Sequence, residues 1–491
     1  MAALDSRQAG AYGVVIGLEV HAQLATAGKL FCGCSAGFGA PPNTHTCPTC
    51  LGLPGSLPTP NARAIDLAVL VALALGCTVS PVSRFARKHY FYPDLPKGYQ
   101  ITQHDCPLAS GGALTWRDAG RTCTVRLVRV HLEEDAGKSL HEGFGDSSAS
   151  AYLDFNRCGV PLVEIVTAPD LAAAADAAEF MRRLRSTLVA IGASDATMEA
   201  GGLRCDANVS LRRRGEAGLG PRTEIKNLNS YRALQRALDF EIARQARVLD
   251  AGGRLETETR QWDESGARTI VMRTKEDAED YRYFPEPDLP PIVLAAERIA
   301  RLRESLPELP HARQLRLVSA YGLSDDDAGA LARTAALAAY FEQAAAACGD
   351  PAAACVWVRG ELSRRLDEAG LDIQHSRVGP ESLGALVRMV SAGTVSASAA
   401  KQILARMMAS GGAPEAVAAA EGLLQESAPD ALGAIVDETL STHPDQVAQY
   451  RAGKRAVAGF LVGQAIRASG GRANPAAVDR LVRARLDGPQ T

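Results

Sequence analysis

Residues 14–24 alternate apolar and polar side chains so strictly that few folds can accommodate them. A two-residue period puts Val14, Ile16, Leu18, Val20 and Leu24 on one side and Glu19, His21 and Gln23 on the other. That is the pattern of a half-buried strand, and it recurs. Leu203, Cys205, Ala207, Val209 and Leu211 oppose Arg204, Asp206, Asn208, Ser210 and Arg212. In 222–227, Arg222, Glu224 and Lys226 share a side, and 128–133 alternates before running into Glu134, Asp135, Ala136, Gly137 and Lys138. Four strands thus offer Glu19, His21, His131, Glu133, Glu134, Asp206 and Glu224 for one polar face of a mostly antiparallel sheet. For any one strand taken alone, a solvated face is the alternative.

Unit charges about 4 Å apart repel by about 1 kcal/mol in water and about 4 kcal/mol at an effective dielectric near 20. Converging carboxylates therefore need a cation or protons. Carboxylates and imidazoles fringed by Arg204, Lys226 and Lys138 are hard-ligand chemistry, suited to magnesium bridging the phosphates of ATP. The string Ala136-Gly137-Lys138-Ser139 is not a P-loop, because that motif needs glycine at the position of Leu132. No G-x-G-x-x-G opens a helix after a strand, so a nucleotide would be held by metal and side chains.

Cys32-Gly33-Cys34 and Cys47-Pro48-Thr49-Cys50 flank a polar loop. Two such pairs can close a structural tetrathiolate zinc site, with reduced, unliganded cysteines as the alternative. Eleven cysteines, an odd number, with no secretory leader argue against a disulfide framework and for a reducing, cytoplasmic setting. The apolar run 64–75 is too short to span a bilayer and reads as a buried helix capped by Asn61 and ended by Gly76.

Residues 87–100 interleave aromatics with prolines and basic residues, and 280–291 echo them. Such a loop can stack on a base and meet phosphate, or it can be structural. In 156–166, Arg157 and Glu164 are candidate supports for phosphate and metal. Asp170 is expected to cap an Ala-rich helix reaching Ile191, and Ser230 a second helix with Leu234, Leu238 and Ile242 on its apolar stripe. Beyond Pro291 the alternation gives way to helical spacing, with domain boundaries expected near 295 and 412. The net charge of −3 excludes a uniformly basic nucleic-acid coat, yet from His443 onward eight Lys/Arg face three acids. Gly459 and Gly463 there are expected to permit close helix packing. The basic block is a candidate grip on RNA phosphates.

Taken together, 17–21, the cysteine pairs, 90–100, 131–138, 204–210, 224–230 and 460–464 resemble the GatB/GatE family of tRNA-dependent amidotransferases. The resemblance covers essentially the whole chain. It implies an α+β fold: a glutamine-synthetase-like catalytic cradle (1–295), a helical domain (296–412) and a YqeY-like helical tail (413–491). It implies ATP-dependent conversion of Glu-tRNA(Gln) or Asp-tRNA(Asn) to the amide, with ammonia derived from glutamine by the amidase subunit GatA and with GatC joining the two. Glu19, His21, Glu134 and Asp206 are the implied magnesium ligands, with Glu133 and Glu224 beside them. Zinc at Cys32, Cys34, Cys47 and Cys50 is optional in the family. A non-catalytic zinc-bearing scaffold that presents tRNA is the competing reading, and ligation on a free small acid is a third.

Overall fold

Strand β1 (Tyr12–Gln23) lies in the interior of a ten-stranded sheet, because its apolar side is sealed along its length: Ile16, Val20 and Ala22 are fully buried. The computed structural model describes residues 11–118, 120–140, 150–198, 201–216, 218–274, 281–426, 428–470 and 472–488. In chain order there follow α1 (Ala62–Ala74), β2 (Arg121–Glu134), β3 (Pro161–Thr167), α2 (Ala174–Ala190), β4 (Leu203–Arg213), β5 (Thr223–Leu228), α3 (Tyr231–Asp250), β6 (Glu258–Asp263) and β7 (Arg268–Thr274). The sheet runs β7-β6-β5-β4-β1-β3-β2 and ends in short strands at Ala109–Ser110 and Thr78–Val79, while Ala113–Asp118 also pairs with β2. Its pairs are antiparallel except β5 with β6, where α3 makes the crossover a parallel pair requires.

The helices form for local reasons. The Asn61 side chain accepts from the Arg63 and Ala64 amides at the start of α1, and Gly76 follows in the left-handed region at φ 69°. Ser230 caps α3 by accepting from the Ala233 amide. Asp170 does not cap α2; Ala173 stands at that position without a side-chain bond, and Asp170 accepts instead from the Arg126 amide and guanidinium. The Arg126 guanidinium, on β2, gives that carboxylate charge-assisted bonds in place of a helix amide. Leu67, Phe180, Leu184, Leu234 and Leu238 from α1, α2 and α3 join Ile16, Leu18, Val163, Val209 and Ile225 in one core, which leaves the other sheet face polar.

The two similar aromatic strings pair with each other. Ala86–His89 is the middle strand of a three-stranded sheet between Phe284–Pro285 and Tyr99–Thr102, and Arg87 reaches both Glu286 carboxylate oxygens at 2.7 and 2.8 Å. Asp280 lies outside the described residues.

The chain divides into two compact units, Met1–Arg313 and Gln314–Thr491. The described part of the second is helical apart from one isolated bridge, Glu426 with Ala473, and it contains two hydrophobic clusters, one from Leu317 to Ala418 and one from Leu432 to Leu486. In helix Val457–Ala468, Gly459 and Gly463 face open space, not a neighbouring helix, so the expected close packing there does not occur. Asn474 caps the last helix (Pro475–Asp487) and donates to Gly393 O. Among the described residues no helix is long and apolar enough to cross a membrane.

Candidate active site

Cross-strand register builds the site. Because β2, β3, β1 and β4 are antiparallel neighbours, His131, Glu164, His21 and Arg204 stand opposite one another in one row across four strands. Two residues further along β1, Glu19 faces Asp206. Side chains at this spacing on one face touch. His21 Nε2 lies 3.1 Å from Glu133 Oε1, 3.4 Å from Glu164 Oε2 and 4.0 Å from Glu19 Oε1. His131 Nε2 is 3.1 Å from the same Glu164 oxygen.

Glu19, His21 and Glu133 line a cleft whose walls include Lys88, Tyr90, Asp135, Arg204, Asp206 and Lys226, with Glu164 and His131 buried behind His21 and Glu133. The register of β4 with β5 slips between Cys205 and Ala207, and Asn227 takes a left-handed φ of 65°. That bulge aims Lys226 back across the strand, 2.6 Å from Asp206 and 3.0 Å from Glu224. Arg204 is anchored 2.8 Å from the buried Asp135, which also accepts from Gln23.

Burial opposes charge on His21, but the Glu133 and Glu164 carboxylates outweigh it and hold the imidazole well above its usual range. Burial likewise opposes ionisation of Glu133 and Glu164, and the two imidazoles pull both below the ordinary carboxylate range. Glu19 is raised, by burial first and then by Glu164. The pair of carboxylates thus favours a proton on His21 while Glu133 and Glu164 stay ionised.

Of the residues singled out in the sequence, Glu19, His21, Glu133 and Asp206 meet in the cleft, with Glu224 reaching it through Lys226. Glu134 does not. Adjacent strand residues point to opposite faces, so Glu134 turns away from Glu133, ion-pairs with Lys97 and accepts from the Ile101 amide. It lines a separate cavity with Lys97, Ile101, Cys32 and Cys50. Lys138 lies outside the cleft too, in a third cavity, with its ammonium 4.8 Å from the Phe38 ring centroid. Arg157 is spent on Ala136 O and Gly137 O.

Glu164 and His131 are more central than the sequence suggests. Glu164 is the lone charge in the apolar run of β3, a setting that points to a support and not to a centre; His131 shares the face of Glu133 by simple alternation. Ligand atoms of Glu19, His21 and Glu164, and of His131, Glu133 and Glu164, lie mutually within 4.8 Å. Glu164 belongs to both sets. The acidic donors fit a hard divalent cation. The sulfurs of Cys32, Cys34, Cys47 and Cys50 also lie within 4.8 Å of one another, as a tetrahedral thiolate centre requires.

Comparison with known proteins assigns the chain to a family. Residues 14–300 match the model of the GatB/GatE catalytic domain, and 339–486 match that of the GatB domain. The chain is similar to proteins named as the B subunit of aspartyl/glutamyl-tRNA(Asn/Gln) amidotransferase. It is 50% identical to that of Anaeromyxobacter sp. (strain K) over 96% of this chain and 98% of the relative. It is 50% identical to that of Moorella thermoacetica over 97% and 100%, and 48% identical to that of Myxococcus xanthus over 96% and 98%. With a catalytic-domain match over more than half its length and about half of its residues shared with such relatives, the chain belongs to the GatB/GatE family.

Proposed function

We propose that this chain is the transferase subunit of a tRNA-dependent amidotransferase. In this reading it uses ATP to phosphorylate the side-chain carboxylate of Glu-tRNA(Gln) or Asp-tRNA(Asn), and ammonia then displaces the phosphate to leave the amide. One observation carries the reading: four carboxylates and two imidazoles converge under a cleft walled by cations. A scaffold that merely presents tRNA has no use for so much opposed charge.

Glu19, His21, Glu133, Glu164, His131 and Asp206 are the residues we assign to divalent-cation binding. Bound there, magnesium would offset repulsion between triphosphate and the incoming carboxylate. Lys88 and Lys226 are cations on the cleft wall able to meet phosphate oxygens. Burial opposes the charge of both, but carboxylates hold them protonated: Glu133 for Lys88, Asp206 and Glu224 for Lys226. Arg204, fixed by Asp135, defines a further edge of the phosphate site. A source of ammonia outside this chain is the reading we adopt; in support of it, burial pushes the Cys77 and Cys158 thiols up to about 12, unsuited to a glutaminase nucleophile. We assign its supply to a partner amidase subunit, GatA, with GatC completing a heterotrimer in the cytoplasm. The four clustered cysteines we assign to structural zinc. Residues 1–295, 296–412 and 413–491 are proposed as cradle, helical domain and tRNA-gripping tail.

The decisive experiment supplies the purified complex with each mischarged tRNA in turn, ATP and glutamine, and scores amidated aminoacyl-tRNA. Product is expected with at least one tRNA, and Asp206→Asn should remove it while leaving tRNA binding within a few fold. Full turnover in that variant would favour the scaffold.

A further inference from the structure

Lys29 is fully buried, and none of the acceptors of its ammonium is a carboxylate. Those acceptors are His45 O at 2.7 Å, Phe155 O at 3.4 Å and Cys50 Sγ at 3.6 Å. Three acceptors match the three N–H bonds of an ammonium, and one of them is sulfur. The backbone around it is fixed: its amide donates to Cys34 O, and the side chain of Asn61 donates to its carbonyl. Gly159, left-handed at φ 84°, packs against both the Lys29 stem and Cys50. The carboxylate beside that same position, Glu134, is already engaged by Lys97.

A buried cation needs a buried anion. Zinc with four thiolates carries two negative charges in excess and needs compensation of its own, and the Lys29 ammonium touches one of its sulfurs with no carboxylate among its acceptors. We infer that Lys29 is the internal counter-cation of a tetrathiolate metal centre, donating an N–H···S bond to Cys50 and reducing the net charge of that centre by one. The inference rests on the assignment of the four cysteines to zinc. It adds that the centre and Lys29 are folded as a unit, each unfavourable without the other.

The test compares the full-length chain with Lys29→Met, which nearly keeps the length of the stem and removes the charge. Zinc content and competition with a chromophoric chelator should show Lys29→Met binding zinc about 10- to 100-fold more weakly, as for other outer-shell partners. Melting temperatures should also cross. With zinc the wild type is the more stable; after chelation Lys29→Met is, because the wild type then buries an ammonium that has lost the excess negative charge of the centre. A lysine that only tied together the His45 and Phe155 carbonyls would leave the variant less stable in both states, and that result, or unchanged zinc affinity, overturns the inference. If Lys29→Met does not fold, Lys29→Gln, which keeps N–H donors without charge, must give the same crossing. Zinc absent from the purified wild type would defeat the zinc assignment itself, whereas zinc present with indifferent variants defeats the role of Lys29 alone.

Discussion

Glu133 and Glu134 are consecutive on β2, yet their carboxylates open into different cavities, Glu133 toward His21 and Glu134 toward Lys97. A conservative change at each should therefore have a different signature. Glu133→Gln and Glu164→Gln are expected to weaken magnesium binding by at least about tenfold and to lower ATP cleavage by roughly 100-fold or more. Glu134→Gln should leave magnesium affinity near the wild-type value. Isothermal titration with magnesium, in the absence of tRNA, separates the three.

Lys226 holds Asp206 and Glu224 together, so its removal acts on both carboxylates. Lys226→Met is expected to raise the apparent Michaelis constant for ATP by about tenfold, the scale of one charge-assisted hydrogen bond, and to leave that for glutamine unchanged. The asymmetry between the two substrates is the measurement, because a misfolded cleft would not respect it.

Gly52 sits at φ 66° with the Lys97 side chain where a β-carbon would have to go. Gly52→Ala is expected to lower the melting temperature, since alanine is both strained at that φ and displaced by Lys97. Removing metal from the neighbouring cysteines should perturb the same cavity, because Cys32 and Cys50 form part of its wall. Chelation followed by limited proteolysis in the 32–56 segment reads the effect, with faster cleavage expected.

In the tail, Arg455, Arg483 and Arg485 are already paired with Asp487, Asp479 and Asp437. Arg451, Lys454, Arg467 and Arg480 are exposed, and no ion pair engages them among the described residues. Converting these four to glutamine is expected to raise the apparent Michaelis constant for tRNA and to flatten its dependence on salt, the slope falling by about one for each phosphate no longer neutralised. Turnover at saturating tRNA should change little. A salt slope identical to wild type would remove the tail from tRNA binding.

Asp170 is held below the ordinary carboxylate range, chiefly by the Arg126 guanidinium. Its folded pKa being depressed, it stabilises the fold at pH values above its unfolded pKa of about 3.9, and that contribution is lost as pH falls through the lower folded value. The melting temperature of Asp170→Asn should lie slightly below wild type near pH 7, and the difference should close below about pH 4. Arg126 is exposed, so the effect is small.

Much of the site is legible in the sequence because a two-residue period fixes which side chains share a face. Glu19, His21 and Asp206 follow from it directly. The same rule assigns Glu134 to the opposite side from Glu133, so offering both for one polar face runs against the alternation, and the motif resemblance repeats that placement. Glu164 is harder to weigh, since β3 is nearly continuous in apolar residues and its register with β1 depends on pairing across more than a hundred residues. The partner of Asp170 is not a local feature either: Arg126 arrives from another strand. Lys29 looks like an ordinary loop lysine until its three acceptors, from the segments around 45, 50 and 155, are brought together.

The strand that begins the fold is also the one that must wait longest. β1 is made before its neighbours, residues 161–167 and 203–213, whose paired positions lie about 140 to 200 residues further along the chain. A nascent chain therefore carries an unpaired strand with one apolar face through much of its synthesis. Such long-range closure slows folding and leaves sticky edges exposed meanwhile. Truncated translation products ending before β3 are thus expected to aggregate or to engage chaperones, and the cleft can assemble only after more than two hundred residues have left the exit tunnel.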